Sequence, residues 1–238
     1  MYVEGQDGDK CRKHAINNHF GGPVLQWHQL EARAEEFQRQ YQLGERFQAI
    51  DYFNADGTSL LTYLAEGLDT ECLYLVLPLG QSETFAQHLG LDVVSLPRCM
   101  VFHHGHVWAC RNVHGQWYTL DSLSPWPRVM SRFRMDSHHG MVVGLSEKAV
   151  HTCLHRLKDN IDRLTRSSVR LLEEFIGRDR LIGDAHPFLE NWVCLRLRML
   201  AWLRGRGSRT HRLWHHWCSA TSATTDGKRM VLYAALMD

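Results

Sequence analysis

The sequence contains no run of about 18 apolar residues, the length that a transmembrane helix needs, so no membrane span is expected. The opening residues, Met1-Tyr2-Val3-Glu4-Gly5-Gln6-Asp7, are acidic and lack an apolar core, unlike a secretory signal. The seven cysteines, at positions 11, 72, 99, 110, 153, 194 and 218, are odd in number and contain no CxxC pair. They read as reduced thiols in an intracellular protein, cytoplasmic or nuclear. Internal repeats and low-complexity tracts are also missing, which argues against a solenoid or a linker-rich chain. Net charge is only +1, but it is unevenly spread. Residues 1–146 hold 11 Lys+Arg against 16 Asp+Glu, and residues 147–238 hold 16 against 10. A chance excess of Arg-rich helices accounts for that split, and so does a difference of function between the halves.

What is present suits a folded protein: 238 residues, 44% hydrophobic and 22% charged, enough for one domain with an appendage. Residues 11–20 read as a short helix, with Asp9 as its cap and Gly21-Gly22-Pro23 as its stop. Residues 24–40 carry an irregular apolar stripe and form a second helix. After the turn signal Asn54-Ala55-Asp56-Gly57, a third helix starts at Thr58 or Ser59 and runs through Leu68. Leu73–Leu77 is a buried strand stopped by Pro78, and Ser82–Leu89 a helix. Strands are expected at Asp92–Leu96, Cys99–His103, His106–Val113 and Gln116–Leu120, with His114-Gly115 as a tight hairpin turn. Pro125 and Pro127 close that region, and Met141–Leu145 adds a strand. The spacing from Val150 to Phe175 predicts a long amphipathic helix ended by Gly177, and a very apolar helix follows Pro187. Residues 205–212 read as loop and 211–220 as a short helix. The fold class is α+β: N-terminal helices and an antiparallel sheet over residues 1–146, with a helical extension over 147–238.

Gln6 stands five residues before Cys11, and Cys11 opens a helix. Papain-like cysteine hydrolases place an oxyanion-hole amide and a nucleophile in this way. A helix N-terminus favours an anion, and Lys10, Arg12 and Lys13 add positive charge around the sulfur. The other partners are expected from the sheet. If His114-Gly115 is a two-residue turn, Val113 pairs with Gln116 and Trp108 lies opposite Asp121. His106 is then a diagonal neighbour of Asp121, about 7–8 Å away at Cα and within reach of a His–carboxylate hydrogen bond. A three-residue turn would put the two on opposite faces. In the first case Asp121 holds the imidazole, and its other ring nitrogen faces Cys11. Gln6 and the Cys11 N–H serve the developing oxyanion.

These residues resemble the Josephin family of cysteine deubiquitinases. The likeness lies in Gln6-x4-Cys11-x2-His14-x2-Asn17-Asn18, in His106-Val107-Trp108, and in Gln116-Trp117-Tyr118-Thr119-Leu120-Asp121-Ser122-Leu123. Asp56-Gly57-Thr58-Ser59-Leu60-Leu61 is similar to that family's Gly-containing helix start. The resemblance covers roughly residues 2–145. It implies hydrolysis of isopeptide or peptide bonds at the C-terminus of ubiquitin or a ubiquitin-like protein, without a cofactor. Cys11 would be nucleophile, His106 base and acid, Asp121 the orienting carboxylate and Gln6 the oxyanion donor. Because ubiquitin ends in Gly-Gly, a narrow cleft beside Cys11 is expected, with Trp27 as a candidate wall.

Other readings compete. His103 and His104 are alternative bases. His14 reads as a packed or hydrogen-bonded helix residue facing away from Cys11, although its i+3 position could bring it near, and Asn17 and Asn18 as structural support making local backbone hydrogen bonds. Cys99, His103, His104, His106, Cys110 and His114 raise the question of zinc, but their spacing fits no compact finger. Arg196, Arg198, Arg204, Arg206, Arg209 and Arg212, beside Trp202, Trp214 and Trp217, could form a stripe for nucleic acid or an acidic partner. The plainer reading is an apolar helix with a solvated basic face. A thiol protease or acyltransferase of other specificity, and a non-catalytic ubiquitin-binding module, are the rival classes.

Overall fold

Ser59 shows how local sequence sets an element boundary. Its side chain accepts the Thr62 N–H, and the Thr62 hydroxyl oxygen accepts the Ser59 N–H at 2.8 Å, a reciprocal cap that starts a helix at Leu60. The computed structural model describes residues 1–40, 59–77, 82–103, 105–130, 140–174 and 189–205. Its helices are α1 (Cys11–Phe20), α2 (Trp27–Gln40), α3 (Leu60–Leu68), α4 (Ser82–Leu89), α5 (Glu147–Glu174) and α6 (Leu189–Arg204). Its strands are β1 (Leu73–Leu77), β2 (Arg98–His103), β3 (His106–Val113), β4 (Gln116–Leu120), β5 (Arg128–Val129) and β6 (Gly140–Leu145). The strands form one antiparallel sheet in the order β1-β6-β2-β3-β4-β5. The architecture is therefore mixed helix and antiparallel sheet, α+β.

Two compact units emerge. The first takes the described residues from Met1 to Gln87 and from Leu91 to Ser146. The second takes His88–Gly90 and those from Glu147 onward. In the first unit, Ala15 and Ile16 of α1, Leu30 and Phe37 of α2, and Leu60, Leu61 and Leu64 of α3 share a core. They meet Tyr74, Val76, Met100, Phe102, Val107 and Val142 on one face of the sheet. Strand β1 is buried at every position, which is why Leu73–Leu77 reads as an unbroken apolar run rather than an alternation. In the second unit, α5 packs on α6. Val150, Cys153, Leu157 and Ile161 recur at helical spacing and are all buried.

Several boundaries differ from expectation. Asp9 is not the cap of α1: Lys10 occupies the N-cap position, and no side chain bonds the first turn. The second helix begins at Trp27 rather than residue 24. Val93–Ser95 is a 3-10 turn, not a strand, because the Asp92 side chain accepts the Val94 N–H and folds the chain over itself. Pro125 and Pro127 do not end the sheet, since Arg128 and Val129 pair with β4. The expected stops at Gly177 and Pro187, and the elements at 205–212 and 211–220, lie wholly or mainly outside the described residues. Among the described residues no helix is long and apolar enough to cross a membrane.

Candidate active site

The β3–β4 hairpin fixes the first half of the site. His114 and Gly115 both adopt positive φ, 52° and 85°, the backbone of a two-residue turn that matches strand twist. Val113 therefore pairs with Gln116, and Ala109 with Leu120. That register brings His106, which opens β3, to Asp121, which follows β4. His106 Nε2 lies 2.8 Å from Asp121 Oδ1. The same oxygen accepts the Leu123 N–H at 3.0 Å, so the carboxylate is held from two sides. The His106 ring also stacks against Trp108, with centroids 5.7 Å apart.

Helix α1 supplies the second half. It lies along β3 in the same direction and is held at both ends. At its start the Cys11 thiol contacts the Gly105 carbonyl oxygen at 3.8 Å, one residue before His106. At its end the Arg111 guanidinium donates to the His19 carbonyl at 3.1 Å, satisfying one of the unpaired C-terminal groups of the helix. A single strand thus carries His106 beside the Cys11 end of the helix and Arg111 beside the far end. Cys11 is buried, with 8% of its surface exposed. Lys10, at the N-cap of α1, makes no side-chain cap bond to the first turn. Lys10 Nζ lies over the Trp27 ring, 5.6 Å from its centroid, which places Trp27 on the flank of this turn.

Gln6 arrives on the N-terminal strap. Its N–H donates to the Ser122 carbonyl at 2.9 Å, and its side-chain Oε1 accepts the Ser122 hydroxyl at 3.1 Å. The strap is pinned further back by Glu4. The Glu4 carboxylate accepts from Lys13 Nζ at 2.8 Å and from Asn17 Nδ2 at 2.6 Å, and His14 Nδ1 stands 3.2 Å from it in a close but poorly aligned contact. Burial pushes this carboxyl up, but the bonds from Lys13 and Asn17 and the close approach of His14 outweigh that and hold it below its ordinary value.

Asn17 and Asn18 do not make the local bonds expected of them. Asn18 accepts the Glu4 N–H at 2.6 Å and donates to the Leu120 carbonyl at 3.1 Å, bridging the strap to the end of β4. Asn17 closes on both main-chain groups of Leu25, at 2.8 and 3.0 Å. The signal available in the sequence is two adjacent asparagines inside a helix, where such side chains are unfavourable unless bonded elsewhere. His14 is buried, and its Nε2 accepts the Asp7 N–H at 3.2 Å, so it supports the strap.

Asp121 bonds His106 rather than His103, which pairs with His106 across the β2–β3 turn. His104 lies outside the described residues. Among those described, no three His, Cys, Asp or Glu side chains gather to hold a metal. Burial raises the thiols of Cys72, Cys99 and Cys153, the last to about 12, and keeps them protonated. Within the Arg-rich stripe, Arg198 is buried and so is not part of an exposed basic face. Arg206, Arg209, Arg212, Trp214 and Trp217 lie outside the described residues.

No family model matches the chain. Over 155 residues it is 28% identical to a protein of Oryza sativa subsp. japonica named "Putative ataxin-3 homolog", an alignment covering 58% of this chain and 45% of that protein. The chain thus spans less than half the length of this relative. The likeness is partial and distant, and it suggests a Josephin-like relationship, the same direction in which the motifs point.

Proposed function

We propose that the chain is a cysteine-dependent deubiquitinase, hydrolysing peptide or isopeptide bonds at the C-terminus of ubiquitin or a ubiquitin-like protein. The observation that carries the reading is the 2.8 Å bond from His106 to Asp121, at the turn whose Gly105 carbonyl touches the Cys11 thiol. Asp121 engages Nε2 and leaves Nδ1 to exchange a proton with Cys11. The thiolate attacks the scissile carbonyl carbon. A C–S bond forms, and the carbonyl electron pair moves to oxygen. The Cys11 N–H and the Gln6 amide receive that oxyanion. Collapse expels the amine, which takes its proton from the His106 imidazolium. Water then attacks the thioester with His106 as base, and the carboxylic acid and thiol are released. No cofactor enters this sequence.

The turn after Asp121 supports a protein substrate. Leu123 is 66% exposed and Trp126 74% exposed, apolar surface beside the site where a folded substrate would approach. The test is labelling by ubiquitin carrying a C-terminal propargyl amide, with wild type beside Cys11→Ala and intact mass as readout. An adduct of one ubiquitin on wild type alone is expected. If folded wild type gives none, the deubiquitinase reading falls. Fast selective alkylation of Cys11 by iodoacetamide would then point to a thiol hydrolase or acyltransferase of other specificity. Slow, uniform alkylation would point to a binding module.

A further inference from the structure

Gln6 and Ser122 are joined twice, and the two bonds have different consequences. The main-chain bond, Gln6 N–H to Ser122 carbonyl at 2.9 Å, fixes where the strap lies. The side-chain bond, Ser122 hydroxyl to Gln6 Oε1 at 3.1 Å, fixes how the amide is presented. Ser122 is 6% exposed, so its hydroxyl is shielded from competing water. It also follows Asp121 directly, and Asp121 is itself bonded to His106.

We infer that Ser122 is a positioning residue for the oxyanion donor: its hydroxyl holds Gln6 Oε1 so that Gln6 Nε2 is presented to the substrate. The inference rests on the proposed acyl-transfer reading, because it concerns the same site. Two physical effects follow from the bond. First, it removes rotamer freedom from a long side chain on an otherwise partly exposed strap. Second, a donor on the amide oxygen polarises the amide, which strengthens Nε2–H as a donor to the oxyanion. Among the described residues Nε2 makes no hydrogen bond, as a group reserved for substrate should. With the amide reversed, the carbonyl oxygen would face the developing negative charge and repel it. A hydroxyl suits the position because it can donate to an amide oxygen. An alanine there could not, while the main-chain bond would remain. Ser122 thereby couples the two halves of the site, since the segment that orients His106 also orients the oxyanion donor.

The experiment is a double-mutant cycle read by hydrolysis of ubiquitin bearing a C-terminal aminocoumarin amide. Ser122→Ala should lower kcat by about three- to tenfold, the worth of one hydrogen bond, with KM little changed. Ser122→Thr, which keeps the hydroxyl, should recover most of that loss. In a Gln6→Ala background, Ser122→Ala should have no further effect on kcat, because nothing remains to be positioned. The same fold-loss with and without Gln6 would overturn the inference, and so would an unchanged kcat in the single variant. A second readout needs neither substrate nor variant. By NMR relaxation, the Gln6 side-chain amide should be markedly more ordered than that of exposed Gln26. Equal disorder in the wild type would also overturn the inference. Should the wild type fail to hydrolyse the ubiquitin substrate, the functional reading falls, and the NMR measurement still decides the positioning role.

Discussion

His106 Nε2 and Asp121 Oδ1 meet at 2.8 Å across fifteen residues of sequence, and one two-residue turn makes that possible. The pairing of Val113 with Gln116 propagates down the hairpin and leaves both side chains at its open end. Asp121 should therefore matter for orientation rather than for charge alone. Asp121→Ala is expected to lower kcat by about a hundredfold, within the range of a disabled general base. Asp121→Asn keeps an oxygen that can accept from Nε2 and should lose clearly less. Equal losses in the two variants, measured by steady-state hydrolysis of the aminocoumarin substrate, would show that the carboxylate charge dominates.

Asn18 should be a costly polar residue of α1 to lose. It is fully buried and spans Glu4 and Leu120, so truncation leaves an N–H and a carbonyl without partners. Each such group costs about 1–3 kcal/mol, and Asn18→Ala should lower stability by roughly 2–4 kcal/mol. Urea denaturation measures this. Activity should fall by more than the unfolded fraction explains, because the strap bearing Gln6 and the strand end bearing Asp121 lose one of their ties and keep the Gln6–Ser122 bonds. A variant with full turnover per folded molecule would remove Asn18 from the account of the site.

The helices α1, α3 and α4, the β3–β4 hairpin and its turn, and the pairing of His106 with Asp121 were all legible in the sequence. Each depends on local chemistry: the Gly21 stop of α1, a capping serine, a two-residue turn, a period of two or of 3.6. The supports of the site were not legible. Asn18 reaches Leu120, and Arg111 reaches the end of α1, through contacts that no local pattern encodes. The error at Asp92–Leu96 has the same origin. Val93-Val94 reads as strand by composition, while a bond from the Val94 N–H to the Asp92 side chain turns the chain there. Asp9 reads as a cap by residue type, while the N-cap position falls on Lys10, which makes no side-chain cap bond.

Acid should destabilise the fold through His19. Burial is the main cause that lowers its pKa to about 3, with repulsion from Arg98 and Arg111 adding to it, while the unfolded chain titrates near 6.5. Above the unfolded value both states are neutral and stability is full. As pH falls from there toward about 3, the unfolded state binds a proton that the native state refuses. Stability then drops by up to about 1.4 kcal/mol per pH unit. Glu4 works in the same direction at lower pH, because its lowered carboxyl must be protonated as acid is added. His19→Gln should flatten the slope between about pH 4 and 6, with a modest loss near neutrality from the contact to the Tyr74 hydroxyl. Urea midpoints across that range test it, and an unchanged slope would refute the assignment.

Gly140 joins packing to the candidate site. It pairs with Phe102 across β6 and β2, and the Phe102 ring occupies the space that a Cβ on Gly140 would need. Gly140→Ala forces the ring away from a filled core and should cost about 1–3 kcal/mol. Phe102→Leu alone should also destabilise, by loss of buried ring. Combined, the two should cost less than their sum, since the smaller side chain relieves the overlap. The functional consequence follows from chain order: β2 ends at His103, and Gly105 and His106 follow. Gly105 touches the Cys11 thiol and His106 binds Asp121, so a displaced Phe102 reaches both through the turn. Gly140→Ala should therefore slow Cys11 labelling by propargyl-ubiquitin in molecules that remain folded, and Phe102→Leu should restore part of that rate. A folded Gly140→Ala protein labelled at the wild-type rate would separate this packing contact from the chemistry.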